Sequence, residues 1–353
     1  MTLAEARQET PAAAPPTPQG GLMARYARAT RAELDRYLTS GAPAPYLDAL
    51  LADYPSRGGK MLRPSICIAN ARVFGGGFDS AVRSAVAVEL LHNALLIHDD
   101  IQDESELRRG RPTLHALHGA PLAINAGDAL IFTALQPWID AVRPGGAEVA
   151  RQVLAVTMSM ARQTAEGQAL ELGWRHDNVT DLTEADYLEM ALKKTAWMGM
   201  IWPAQLGLIV GSGGRLDPER VLRFGYFLGV AFQIEDDLRN LSDDPGYGKE
   251  NNGDLLEAKR TLMLIHVRRT CEAADRARLD AYLALRRDQR SQEEVLWLAD
   301  LMRRVGAVDY ARRVAAAMGG AAAHEFELAY GDLADSEDLD FLAGLVRWVF
   351  ERP

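Results

Sequence analysis

A chain of 353 residues with 48% hydrophobic content can bury a substantial core, and its formal net charge of −10 argues against a nucleic-acid partner, whose phosphates call for a basic surface. Cys67 and Cys271 stand far apart without metal-ligand spacing, so neither a disulfide framework nor a zinc site is indicated, and a reducing cytoplasm is the expected location. Ala, Leu, Arg and Glu are abundant and no strand-like alternation persists, which points to an all-α chain.

Residues 1–20 combine early acidic residues with Pro and Ala and contain no apolar run of signal-peptide length, so they read as a flexible tail. Residues 21–353 read as one large helical domain, because short Gly or Pro punctuation (GGK at 58–60, FGGGF at 74–78, RPGG at 143–146, GSGG at 211–214, PGYG at 245–248) is all that interrupts the helical patterns. The runs 81–98, 119–139 and 221–234 are apolar on most faces and are expected to be central helices. The uncharged stretch TAWMGMIWPAQLGLIVGSGG, residues 195–214, is long enough to span a membrane. Pro203, the glycines and the preceding Lys193 and Lys194 favour a kinked interior helix, so no transmembrane segment is expected.

The first apolar helix ends in HDDIQDESELRRGR, residues 98–111. Asp99, Asp100 and Asp103 form a DDxxD pattern in which Asp99 and Asp103 share a helical face one turn apart. Like charges so placed destabilise a helix by about 0.2–0.5 kcal/mol per pair, and far more when desolvated, so something cationic should compensate. An echo follows in AFQIEDD, residues 231–237, which ends in Asp236 and Asp237 with Asn240 at the i+4 position. Paired carboxylates facing each other across a cavity suit Mg²⁺, a hard oxygen-seeking ion, when a substrate phosphate completes the ligand set. Asp99, Asp100, Asp103, Asp236 and Asp237 are therefore candidate metal ligands, with Gln168 and Glu171 of EGQALEL as a further polar pair on one helix face. Separate basic groups, Lys60 with Arg63, Arg108 with Arg109 and Arg111, Lys194, and Lys249 with Lys259, suggest two anions bound from several sides.

Taken in order, GGKMLRP, LLHNALLIHDDIQDESELRRGRPTLH, INAGDAL, EGQALEL, KKTAWM, FQIEDDLRNL and GYGKENNGDLLEAKRTL resemble the landmarks of the trans-isoprenyl diphosphate synthases, or polyprenyl synthetases, and most of all the geranylgeranyl diphosphate synthases. The resemblance runs from about residue 55 to 265 and implies a helical bundle of the isoprenoid synthase type around a central cavity. It implies a prenyltransferase that condenses isopentenyl diphosphate with an allylic diphosphate, with three Mg²⁺ ions on the allylic side and a homodimeric assembly. By position, Asp99, Asp103 and Asp236 would hold the ions, and Arg108, Lys194, Lys249 and Lys259 the allylic diphosphate. Gly59, Lys60, Arg63, His92 and Arg109 would bind isopentenyl diphosphate, and Thr195 and Gln233 would line the carbocation site.

Four positions depart from the family pattern: Asn240 replaces the last aspartate of the second motif, Glu171 an aspartate, Met61 a basic residue and Ala258 a glycine. A terpene cyclase would need no isopentenyl site, and a silent partner subunit would be expected to lose aspartates, so both are weaker readings. Leu95 lies one turn before Asp99, Ala94 flanks it and Leu91 lies two turns before. Family members with short products carry bulky aromatics at the fourth and fifth positions before the motif, so Leu95 and Ala94 imply an open path and a twenty-carbon product. Farnesyl or longer-chain synthesis is the alternative.

Overall fold

The computed structural model describes residues 18–38, 45–241 and 252–351, and these are almost entirely helical, as the composition implies. Residues 1–17 of the expected tail and Lys249 lie outside the described residues. Helix α1 (Pro18–Leu38) already begins within the twenty residues read as tail. It is followed by α2 (Asp48–Ser56), α3 (Leu62–Val73) and α4 (Phe78–Gln102). A two-rung hairpin, β1 (Leu107–Arg108) with β2 (Arg111–Pro112), precedes α5 (Leu114–His118), α6 (Ala120–Thr133), α7 (Leu135–Val142) and the long α8 (Gly146–His176). Next come α9 (Glu184–Ala191), a π-helical segment (Leu192–Ile201), α10 (Trp202–Ser212) and α11 (Leu222–Asn240). The chain ends with α12 (Gly253–Leu256), α13 (Leu262–Thr270), α14 (Ala273–Leu283), α15 (Gln292–Arg304), α16 (Ala307–Tyr330) and α17 (Glu337–Glu351).

Three apolar clusters hold these helices together. One joins α3, α10 and α11 to α17 and the end of α16 through Ile66, Trp202, Phe224 and Phe341. A second packs α9 and α13 to α16, and a third lies between α2, α4 and α6 around Tyr54, Leu90, Ala94 and Leu130. Helices α4 and α11 are both largely buried, as their patterns predict. The run 119–139 departs from that expectation, since Phe132 is 70% and Ile139 53% exposed on α6 and α7. Its apolar character all round reflects an outer face left open, not a central position.

The uncharged stretch 195–214 is an interior element, as expected, but not one continuous helix. Its first part has the wider π register, and Pro203 sits in the first turn of α10, directly after the change of register. Among the described residues α4 is the helix long and apolar enough to cross a membrane, and 67% of that window is buried inside the protein.

Candidate active site

The C-terminal end of α4 is the floor of a cleft. Asp99 is half-buried there, and Asp103, one turn on, is 4% exposed. Both face basic side chains from distant segments. Lys194, from the π-helical segment, lies 3.5 Å from Asp99 Oδ1 and also pairs with Glu171 of α8. Arg175 of α8 donates to Asp103 Oδ1 at 2.7 Å, and Lys259 lies 3.2 Å from its other oxygen. Gln168 donates to Asp99 Oδ1 at 3.3 Å, so the pair on α8 does turn toward the first acidic motif. Burial by itself would raise the pKa of Asp99, but Lys194, with Lys259 and Arg108, overcomes both burial and the repulsion of Asp103, and the net shift is downward. Asp103 is lowered too, because Lys259, Lys194 and Arg175 outweigh its burial. The predicted compensation is thus present, and both groups are carboxylates at neutral pH.

Asp100 is differently placed. One residue further round α4, it has no exposed surface, and Arg108 grips it with Nε at 3.0 and 3.1 Å from its two oxygens while Nη2 also donates to it. The Tyr54 hydroxyl adds a bond at 2.5 Å. Its oxygens are therefore occupied by protein donors, and it serves to hold Arg108, whose Nη2 reaches to 3.8 Å from Asp99.

The hairpin explains why neighbouring arginines part company. Arg109 and Gly110, the two residues between the strands, both have positive φ, 54° and 72°, as a tight I′-type turn requires. Arg108 turns to the aspartates, and Arg109 turns to the loop before α3, donating to the carbonyls of Gly58 and of Tyr54, the latter at 3.3 Å. Its guanidinium lies against Gly59, where a Cβ would come within 2.9 Å of Nη2. Arg31 of α1 donates to the Gly59 carbonyl at 3.2 Å. Arg63 Nη1 stands 3.3 Å from His92 Nε2, with the buried Glu89–Asn93 pair on the same helix as His92. Burial, with Arg63, Arg109 and Arg108 nearby, holds the His92 pKa well below its usual value, so the ring is neutral. Lys60 lies over the ring of Trp348 from α17, at 5.5 Å. Arg63 and Arg109, with the neutral His92 beside Arg63, form a second basic group.

The second acidic motif also divides. Asp236 is half-buried, and its charge is felt at Arg63. Asp237 is turned inward, where it accepts bonds of 2.7 Å from the Tyr187 hydroxyl and from Gln233 Nε2. Because the Gln233 amide donates to Asp237, its oxygen is presented to the other side, where Thr195 Oγ1 donates to it at 2.5 Å. Burial, with Asp254 and Asp236 nearby, raises the Asp237 pKa well above the ordinary carboxylate range. Asn240 Oδ1 accepts the backbone N–H of Asp254 at 3.0 Å, a bond that fastens the start of α12.

The sequence reading did not single out Arg175, Asp254 or Glu257, yet Asp254 and Glu257 line the cleft with Asp99, Asp103, Arg108 and Lys259. Arg175 was within reach, since it stands four residues after Glu171 on the same helix face. Tyr54 and Tyr187 gave no local signal. Leu91 and Leu95 are half-buried on the stripe of α4 that leads to His92 and Asp99, whereas Ala94 has no exposed surface and belongs to the cluster with α6. Among the described residues no three His, Cys, Asp or Glu side chains converge on one metal position. Asp99 and Asp103 offer hard oxygens of the kind magnesium takes, those of Asp103 being shared with Arg175 and Lys259, and substrate oxygens would complete the ligand set.

Residues 44–302 match the family model described as polyprenyl synthetase. The chain is 35% identical over 296 residues to a short chain isoprenyl diphosphate synthase of Methanothermobacter thermautotrophicus, covering 84% of this chain and 87% of that one. Its fold is similar to that of the geranylgeranyl pyrophosphate synthetase from Pyrococcus horikoshii, with a TM-score of 0.80, 30% identity and coverage of 94% and 99% of the two chains. A polyprenyl synthase from Caulobacter crescentus, whose crystal structure is a complex with calcium and isoprenyl diphosphate, aligns with a TM-score of 0.81 at 26% identity over 94% and 97%. With its acidic helix ends, its two basic groups and these relatives, the chain belongs to the polyprenyl synthetase family and is a prenyltransferase.

Proposed function

We propose that this cleft joins isopentenyl diphosphate to an allylic diphosphate, that the main product is geranylgeranyl diphosphate, and that the enzyme works as a magnesium-dependent homodimer in the cytoplasm. The observation that carries the reading is the meeting of Asp99 and Asp103 with Arg108, Arg175, Lys194 and Lys259, which come from four other segments of the chain. Asp99, Asp103 and Asp236 would hold magnesium, up to three ions, which supplies Lewis-acid neutralisation of diphosphate charge when bound. Asp100 and Asp237 we assign to positioning, of Arg108 and of Gln233 respectively.

Arg108, Lys194 and Lys259, with Lys249, would take up the negative charge that develops on the diphosphate as the allylic C–O bond breaks. Thr195 Oγ1 and Gln233 Oε1, fixed against each other, present oxygens toward the resulting allylic cation. The Gly59, Lys60, Arg63, His92 and Arg109 group would bind isopentenyl diphosphate, whose double bond attacks the cation before a proton is lost. No side chain is required as nucleophile, and the released diphosphate is a suitable base. The buried surroundings of α4 and α11 exclude water from the cation.

Leu95 and Leu91 favour a path down α4, and at about 5 Å per helical turn each five-carbon unit takes roughly one turn, which suits twenty carbons. The buried, unpaired Cys67 and Cys271 are in keeping with a reducing compartment. Incubation of the protein with Mg²⁺, isopentenyl diphosphate and each allylic primer, followed by sizing of the products, tests the reading. Twenty-carbon diphosphate supports it, another length corrects the product alone, and cyclic hydrocarbon or no product rejects it.

A further inference from the structure

Arg260 follows Lys259 directly and is only 4% exposed. No carboxylate lies within ion-pair distance of it among the described residues. Its guanidinium donates instead to three neutral oxygens: Nη1 to the Ala258 carbonyl at 2.6 Å, Nη2 to Asn178 Oδ1 at 2.7 Å, and Nε to the Val179 carbonyl at 3.0 Å. A cation buried without a counter-charge is unfavourable, so three well-formed bonds mark a place where its geometry matters. Two of its partners have left-handed backbone, Ala258 with φ 53° and Asn178 with φ 48°. Asparagine accepts that conformation readily, but alanine has no polar side chain to ease it and resists it.

These contacts join the two segments that supply cations to Asp103. Asn178 and Val179 follow the end of α8, whose Arg175 donates to Asp103, and Ala258 precedes Lys259, whose Nζ lies 3.2 Å from the same carboxylate. Lys259 is also 2.9 Å from Glu257 and 3.3 Å from Asp254, so a shift of its backbone would disturb the whole basic side of the cleft.

We propose that Arg260 is a positioning residue for diphosphate binding: it clamps Ala258 in its left-handed turn against the α8–α9 connection and so sets Lys259 over Asp103. Arg260 does not itself meet substrate. The inference rests on the reading of this cleft as the allylic diphosphate site.

The test compares wild type, Arg260→Met, Ala258→Gly and the double variant. Each is titrated with inorganic diphosphate in Mg²⁺ by calorimetry, melted by circular dichroism, and assayed for KM toward both substrates. Arg260→Met should bind diphosphate at least fivefold more weakly and raise KM for the allylic substrate by a similar factor, with KM for isopentenyl diphosphate unchanged within twofold. Ala258→Gly alone should stay within twofold of wild type. The double variant should recover most of the lost affinity, because glycine adopts the left-handed turn without the strain that alanine needs a clamp to overcome. Arg260→Met with unchanged diphosphate affinity, equal loss for both substrates, or a double variant no better than the single one would each overturn the clamp. If Arg260→Met fails to fold, Arg260→Lys, which keeps the charge and loses the fork, must show the intermediate affinity, and wild-type affinity there also overturns it. A wild-type protein that neither binds diphosphate nor forms prenyl product would instead reject the function on which the inference depends.

Discussion

Asp99 and Asp100 are adjacent in the chain and opposite in use, so their substitutions should fail in opposite ways. Asp99→Ala removes a half-buried carboxylate from the cleft and should leave less than about a tenth of wild-type turnover, a loss of more than roughly 1.4 kcal/mol of transition-state stabilisation, with the melting temperature little changed. Asp100→Asn breaks a fully buried pair with Arg108 and should cost about 3–5 kcal/mol of folding stability, read from urea unfolding. His92 makes a separate claim about pH. Burial beside Arg63, Arg109 and Arg108 lowers its folded pKa well below 6.5, so between those two values the unfolded chain binds more protons than the folded one. The contribution of His92 to stability should therefore fall as pH drops below 6.5, by up to about 1.4 kcal/mol per pH unit, and His92→Gln should lose that slope. Urea midpoints of the two proteins at pH 7.5, 6.5 and 5.5 check this, and parallel curves would contradict it.

At the level of elements, the site depends on how closely α8 and the π-helical segment approach. A Cβ on Gly167 would fall 2.2 Å from the backbone nitrogen of Lys194, so the glycine of EGQALEL permits a contact that no other residue allows. Gly167→Ala should push the segment away, separate Lys194 from Asp99 and Glu171, and reduce kcat/KM at least tenfold; a variant with wild-type kinetics would show that the two elements adjust freely. The helix that carries the first motif sets a second element-level prediction. Leu95 is half-buried on the stripe leading to Asp99, so Leu95→Phe should narrow the path and shift the main product from twenty carbons to fifteen or fewer, measured by chromatography of dephosphorylated products. Ala94, fully buried with Leu130 and Ala126 of α6 in one cluster, has no space for a ring, and a phenylalanine there must move α6 or turn into the path. Leu95 is the cleaner plug.

At the scale of the whole molecule, α6, α7 and α8 leave a run of large apolar side chains exposed. Phe132, Leu135 and Ile139 are exposed by 70%, 44% and 53%, and Leu154 and Met158 of α8 by 55% and 64%. A monomeric protein rarely leaves so many large apolar side chains open on successive elements, and a second copy of the chain is the occupant proposed above. Sedimentation velocity should give a dimer for wild type, and Phe132→Glu combined with Ile139→Glu should give a folded monomer. A monomeric wild type would remove the homodimer from the reading.

The helical class, the one-turn spacing of Asp99 and Asp103, the second acidic end at Asp236, and the pairing of Gln168 with Glu171 are properties of local periodicity, and all could be read before any contact was known. Periodicity sets the angle between neighbours on a helix but not which side the rest of the protein will cover. That is why periodicity could not separate Asp99 from Asp100, or Asp236 from Asp237, although the family resemblance singled out Asp99 and Asp236: Arg108 from the following hairpin and Tyr54 and Tyr187 from remote helices close over one member of each pair. For the same reason the apolar run 119–139 read as central, although its outer face is open in the tertiary structure. The π register of 192–201 and the recruitment of Arg175, Glu257 and Arg260 around Lys259 are likewise outcomes of packing, and the hairpin supplies the geometry by which Arg108 and Arg109 part as the resemblance implied. Local composition determined which side chains were available for diphosphate chemistry, and long-range burial decided which of them reach the cleft and which hold the others there.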